Sequence, residues 1–247
     1  MSEQKKESKK RKHKKRRPFL KLLIFIILVV GSIVLLNSNL FNVADFEITG
    51  NEYYTVSQVK ELCGINTGKN IIFETKLKPA RNKLLESPYV KIAKLSKKLP
   101  GTIVIDIEER TEFAAIPFGE QYIIIDHEGL ILRISDNDAE LPVIAGLTVV
   151  TSIPGDPLNV DQSYILEKCI NLLSEVEKID FYFERIDVSS LSVKAYIYYD
   201  QFCCEGTIDN ILENLASIKV MVASYYQEDV THGKIIVGTN NYLVYQP

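Results

Sequence analysis

Apart from His13, the chain offers only two imidazoles, His127 and His232, and neither lies in an HExxH or Cys/His arrangement that could hold zinc. Asp126-His127-Glu128-Gly129 brings an acid and a base together. It falls between two alternating apolar runs, however, which reads as a hairpin turn rather than a catalytic cluster. Asp136, Asp138 and Glu140 open like a calcium loop, but Leu141 stands where the glycine of the sixth position is needed and Leu147 where the twelfth-position glutamate should be. Cys63 and Cys169 are isolated and Cys203-Cys204 are adjacent, so no CxxC spacing exists and buried thiols are expected. GxSxG, P-loop and GxGxxG signatures are missing too. The expectation is a chain that is not an enzyme, with no cofactor and no metal.

Charge is distributed unevenly. The first 21 residues hold 11 Lys/Arg against Glu3 and Glu7, a surplus of +9, which leaves −12 for the other 226 residues of a chain with formal net charge −3. Leu22 to Leu36 carries no charge at all. With Phe19 and Leu20 before it and Leu40 and Phe41 beyond, a span over 19–41 is long enough to cross a membrane. A cleaved secretory signal and a buried helix of a soluble core are the alternatives. Cleavage after Ala44 would place Asn42 at the third position, where a small residue is wanted. No Lys or Arg occurs between residues 22 and 59, so the tail, 1–18, is expected in the cytoplasm and the acidic body outside. The basic run could be taken for a nucleic-acid patch. Set directly against the span, Lys14, Lys15, Arg16, Arg17 and Lys21 are better matched to anionic lipid headgroups, and no nucleic acid is expected.

The exported part reads as α+β. Phe46–Thr49 suggests a strand; Thr55 and Gln58 stand at capping-box spacing before Val56, Val59 and Leu62, and Gly64 supplies a stop. A second helix ends near Ser87-Pro88, with Pro79 expected at its first position. Val90 begins a strand with a phase slip at Ala93, Leu99-Pro100-Gly101-Thr102 turns the chain, and Ile103, Ile105 and Ile107 alternate. Lys91, Lys94, Lys97 and Lys98 read as the solvated, lysine-protected edge of that sheet. The order over 42–110 is β, α, α, β, β, that of a POTRA domain. Beyond it, 111–247 reads as a mixed sheet with two packed helices, one striped by Ile165, Leu166, Cys169, Ile170, Leu173 and Val176, the other by Ile208, Ile211, Leu212, Leu215, Ile218 and Val222. Ile186–Ser189 and Val193–Tyr199 read as strands between them.

Ile48-Thr49-Gly50-Asn51, Gly68-Lys69-Asn70-Ile71, Pro88-Tyr89-Val90, Leu99-Pro100-Gly101-Thr102 and Glu108-Glu109-Arg110, in this order after one span, resemble the FtsQ/DivIB family of bacterial cell-division proteins. Tyr122–Leu132 and Leu141–Gly146 extend the resemblance over nearly the whole chain. It implies a bitopic, noncatalytic scaffold of the division machinery in the cell membrane at the septum. It further implies that the last strand binds the extracytoplasmic parts of FtsB/FtsL-like partners and so helps control septal peptidoglycan synthesis. By position the partner-binding residues are Tyr242, Leu243, Val244 and Tyr245, with Asn240 and Asn241 beside them. Gly233-Lys234-Ile235-Ile236 departs from the family's Gly-x-Ile-Asp pattern. A membrane-anchored extracytoplasmic hydrolase is the alternative, with a pocket expected around Asp126, His127 or His232. A POTRA-bearing export component is a further one, though it would be expected to continue into a barrel.

Overall fold

The computed structural model describes residues 18–138, 140–197, 201–240 and 242–247. Lys14 to Arg17, Tyr198, Tyr199 and Asn241 lie outside them. The chain divides into two compact units. One takes the residues up to Glu47 with Asn66–Lys76 and Ser96–Val104, the other Ile48–Ile65, Leu77–Leu95 and Ile105–Pro247.

In the first unit, helix α1 (Pro18–Leu36) is apolar on every side, because its 18-residue core has no charge except Lys21 and none of it is buried. A soluble core helix would have its apolar surface covered; this one is long and apolar enough to cross a membrane. Its helical part ends five residues before Phe41. Asn37 donates both its backbone N–H (3.0 Å) and its side-chain amide (2.9 Å) to the Ile33 carbonyl, and Asn39–Phe41 form a short 3-10 turn.

Strand β1 (Asp45–Thr49), helices α2 (Val56–Cys63) and α3 (Leu77–Leu85), and strands β2 (Val90–Lys98) and β3 (Thr102–Glu109) follow in the anticipated order, with sheet order β1-β3-β2. The capping box is present. Gln58 N–H donates to Thr55 Oγ1 (3.3 Å), Thr55 N–H donates back to Gln58 Oε1 (2.9 Å), and Gly64 ends α2 at φ +63°. Pro79 is the third residue of α3, not the first: its missing N–H is still one of the four that an α-helix start leaves without an internal partner. Along β2, Val90 and Ala93 are buried and Leu95 and Lys97 half-buried, which is the phase slip.

The second unit also holds a nine-stranded mixed sheet: β4 (Ala114–Phe118), β5 (Gln121–Ile125), β6 (Ile131–Ser135), β7 (Val143–Ala145), β10 (Arg185–Asp187), β11 (Val193–Ile197), β12 (Phe202–Gly206), β13 (Gly233–Val237) and β14 (Leu243–Gln246). Its order is β14-β13-β12-β11-β10-β7-β4-β5-β6, and β8 (Val149–Thr151) pairs with β9 (Asn159–Val160) as a separate ribbon. One face packs on three helices, α4 (Ser163–Lys178), α5 (Ile208–Glu213) and α6 (Leu215–Gln227), rather than two. The expected second stripe is a single apolar face carried across a break. Asn214, 2% exposed, leaves helical geometry with its amide donating 2.8 Å to the Asn210 carbonyl, and Leu215, Ile218 and Val222 resume the face begun by Ile208 and Ile211. Phe202, Cys204, Ile235 and Val237 meet those helices from the sheet.

Candidate partner-binding edge

Strand β14 closes the sheet because the chain reverses tightly before it. Asn240 adopts φ +55°, Tyr242 N–H donates to the Thr239 carbonyl (3.2 Å), and Gly238 N–H donates to the Tyr242 carbonyl (2.8 Å). The register then pairs Val237 with Leu243, Ile236 with Val244, Ile235 with Tyr245 and Lys234 with Gln246. Hydrogen-bonded and non-bonded pairs alternate in an antiparallel ladder, so the Gly238–Tyr242 bond fixes the phase. Tyr242, Val244 and Gln246 turn their backbone polar groups toward β13; Leu243 and Tyr245 turn theirs outward. Among the described residues β13 is the only strand beside β14.

Side chains divide the other way. Leu243 and Tyr245 pack on the core face, with Tyr245 against Tyr225 (ring centroids 4.3 Å) and its hydroxyl donating 2.8 Å to the His232 carbonyl. Gly233 lies beneath that ring: a Cβ there would come within 2.3 Å of it. Tyr242 is 60% exposed, and Val244 is half-buried beside Ile236 on the opposite face. A shallow groove of about 700 Å³ runs along the core side between α6 and the strand, lined by Val220, Met221, Tyr225 and Leu243.

At the other end of the sheet β6 is protected. Residues 155–158 bond across its start, with Gly155 N–H to the Ile131 carbonyl (2.8 Å) and Ile131 N–H to the Asp156 carbonyl (3.0 Å), and Arg133 adds a charge that Glu112 holds at 2.6 Å. Among the described residues no segment bonds across the outer side of β14, and the strand holds neither charge nor proline, the devices that keep an edge from pairing. Lys234 of β13 is paired with Glu205 of β12 at 2.7 Å, holding that carboxyl below its ordinary range; in this chain the position after Gly233 carries a cross-strand ion pair.

Asp126 and His127 take structural contacts. Asp126, 4% exposed, accepts from Glu128 N–H (2.9 Å) and Leu130 N–H (2.8 Å) through one oxygen and pairs with Arg110 through the other. His127 lies on Phe113 (centroids 3.9 Å) at the mouth of a cavity of about 400 Å³ lined mainly by Leu173, Val176, Phe181 and Phe183. His232 stands before β13, at the far end of the sheet from the β5–β6 turn that carries His127. Asp138 caps its own turn by accepting from Glu140 N–H (3.2 Å), and Asp136 accepts from Gln121 (2.8 Å). Among the described residues no three His, Cys, Asp or Glu side chains group as metal ligands. Cys63, Cys169 and Cys204 are buried thiols; burial pushes Cys169 up to about 12 and raises Cys63 and Cys204.

Several contacts had no local sequence signal. Glu109 accepts the N–H groups of Glu52 (2.7 Å) and Tyr54 (3.2 Å), Tyr53 stacks on Tyr89 (3.7 Å), and Tyr89 donates 2.5 Å to Glu112. Lys91 pairs with Glu128 (2.8 Å) and Lys98 with Glu47 (2.5 Å), so two of the β2 lysines are neutralised along that edge. Lys21 lies in the first turns of α1.

The FtsQ-type POTRA domain family matches residues 41–110. Cell division protein DivIB of Clostridium acetobutylicum is 29% identical over 181 residues, 71% of this chain and 71% of that protein. DivIB of Clostridium botulinum is 27% identical over 184 residues, covering 71% and 70%. Cell division protein FtsQ of Novosphingobium aromaticivorans is 31% identical over 112 residues, 44% of this chain and 34% of that protein.

Proposed function

We propose that this chain, which carries an FtsQ-type POTRA domain and is similar over most of its length to proteins named for cell division, is a noncatalytic, single-pass scaffold of the bacterial divisome. In this reading residues 1–18 stay in the cytoplasm, 19–41 hold the membrane, and 42–110 and 111–247 act outside it at the septum. Strand β14 accepts a strand from an FtsB/FtsL-like partner, and the assembly helps control septal peptidoglycan synthesis. The observation that carries the reading is the β14 edge, where the backbone groups of Leu243 and Tyr245 face outward with no cover among the described residues, while the start of β6 is bonded across. Anchoring in one membrane raises the effective concentration of partners anchored in the same membrane, so a modest strand contact suffices. The test measures binding of FtsB/FtsL-like ectodomains to the full chain with Tyr242→Glu, Val244→Glu and both. Wild-type affinity in all three variants would remove β14 from the interface.

A further inference from the structure

Asn70 belongs to no ladder or cap of the β14 edge, yet it is a buried polar residue, 7% exposed, with every hydrogen-bonding group of its side chain engaged. Its amide donates 2.8 Å to the carbonyl of Leu36, the last residue of α1, and its Oδ1 accepts from the N–H groups of Ile72 (2.9 Å) and Phe73 (3.0 Å). Backbone bonds repeat the tether: Val43 N–H to the Lys69 carbonyl, Gly68 N–H to the Val43 carbonyl and Ile71 N–H to the Phe41 carbonyl, each 2.8 Å. The β2–β3 turn is tied to the same stretch. Ala44 N–H donates 2.8 Å to the Gly101 carbonyl, and the approach is so close that a Cβ on Gly101 would stand 2.4 Å from the Asn42 carbonyl oxygen. Loop 66–76 and the turn at Leu99 are therefore held within a few residues of the place where α1 stops.

That place has a defined depth. Nineteen helical residues rise about 28 Å, close to the roughly 30 Å of a hydrocarbon core, which sets Leu36 at the boundary between acyl chains and headgroups. Three large apolar side chains in these tethered segments are uncovered: Leu40 is 60% exposed, Phe73 54% and Leu99 58%. Charge does not explain them. In the part of this unit beyond α1, Lys69, Lys76, Lys97 and Lys98 face Asp45, Glu47 and Glu74, nearly in balance.

We propose that this end of the POTRA domain is a lipid-binding foot, in which Leu40, Phe73 and Leu99 bury themselves in the interfacial layer of the leaflet where α1 emerges, with Asn70 locking the foot to the span. The proposal rests on α1 crossing a membrane. Apolar insertion, rather than attraction to headgroups, holds it there, so zwitterionic and anionic lipids serve alike.

The chain contains no tryptophan, so Phe73→Trp, Leu99→Trp, Ile27→Trp and Leu191→Trp each create a single reporter in the full chain. Ile27 lies midway along α1 and Leu191 is fully exposed in the other unit. The probes are phosphatidylcholine vesicles whose acyl chains carry a spin label near the headgroup or near the chain end. Phe73→Trp and Leu99→Trp should lose most of their emission to the shallow label, Ile27→Trp to the deep one, and Leu191→Trp to neither; replacing part of the lipid with phosphatidylglycerol should leave the pattern unchanged. The foot is wrong if Phe73→Trp and Leu99→Trp behave like Leu191→Trp while Ile27→Trp is quenched. It is wrong too if they are shielded from water yet untouched by either label, since a protein then covers them. An unquenched Ile27→Trp overturns the span itself and the foot with it.

Discussion

Two acids in one turn, Asp126 and Glu128, do different work because one is buried and the other is not. Asp126 satisfies two turn N–H groups and shares Arg110 with Glu128, so Asp126→Ala leaves two turn donors without their acceptor and Arg110 with one carboxylate instead of two, and should cost about 2 kcal/mol, read as a drop in denaturation midpoint. His127→Ala removes only a ring contact, and should cost about 1 kcal/mol or less and leave partner binding intact. Glu128 is half exposed; its hydrogen bonds from Lys91 and then Arg110 lower its pKa from 4.5 to about 2. A carboxyl depressed in the folded state stabilises above its unfolded pKa, and that stability drains away as pH falls through the folded value. Melting temperature should therefore decline between about pH 4.5 and pH 2, less steeply in Glu128→Gln and more weakly at high salt. Glu112, Asp187 and Glu205 are held low as well, so the substitution reduces the slope without abolishing it.

At the scale of elements, what could be seen in the sequence was what depends on near neighbours. Thr55, Gln58 and Gly64 specify both ends of α2 within ten residues, and Thr55→Ala should cost about 1 kcal/mol without altering the sheet. The turn at Asp126 was legible for the same reason. Asn214 was not: the apolar face runs through the break in phase, and periodicity registers the face rather than the backbone that carries it. The three-residue strands β7, β8 and β10 are too short to alternate detectably. Which groups of β14 face outward depends on the Gly238–Tyr242 bond, and the protection at the start of β6 on a segment more than twenty residues away, so neither was legible from near neighbours. Leu243→Pro would remove an outward N–H while sparing the bonds to β13, and Val244→Pro would break one; partner binding should fall in both, and sheet stability chiefly in the second.

At the scale of the whole molecule, the described residues hold one helix apolar enough to span a membrane, a small domain that begins within ten residues of its end, and a long sheet whose β14 edge is unguarded. Single-pass topology predicts that protease added outside intact protoplasts digests the folded body while the basic tail stays protected, and that carbonate washing leaves the chain with the membrane. Division as the role predicts unseparated filaments on depletion. The central claim, that β14 is where a partner strand adds, is tested most directly by the affinity of FtsB/FtsL-like ectodomains for the full chain carrying Val244→Glu, with His127→Ala as the control. The account predicts that Val244→Glu weakens binding about tenfold or more, at least about 1.4 kcal/mol, and that His127→Ala does not. Equal affinity of Val244→Glu and wild type, with the variant still folded, would contradict it.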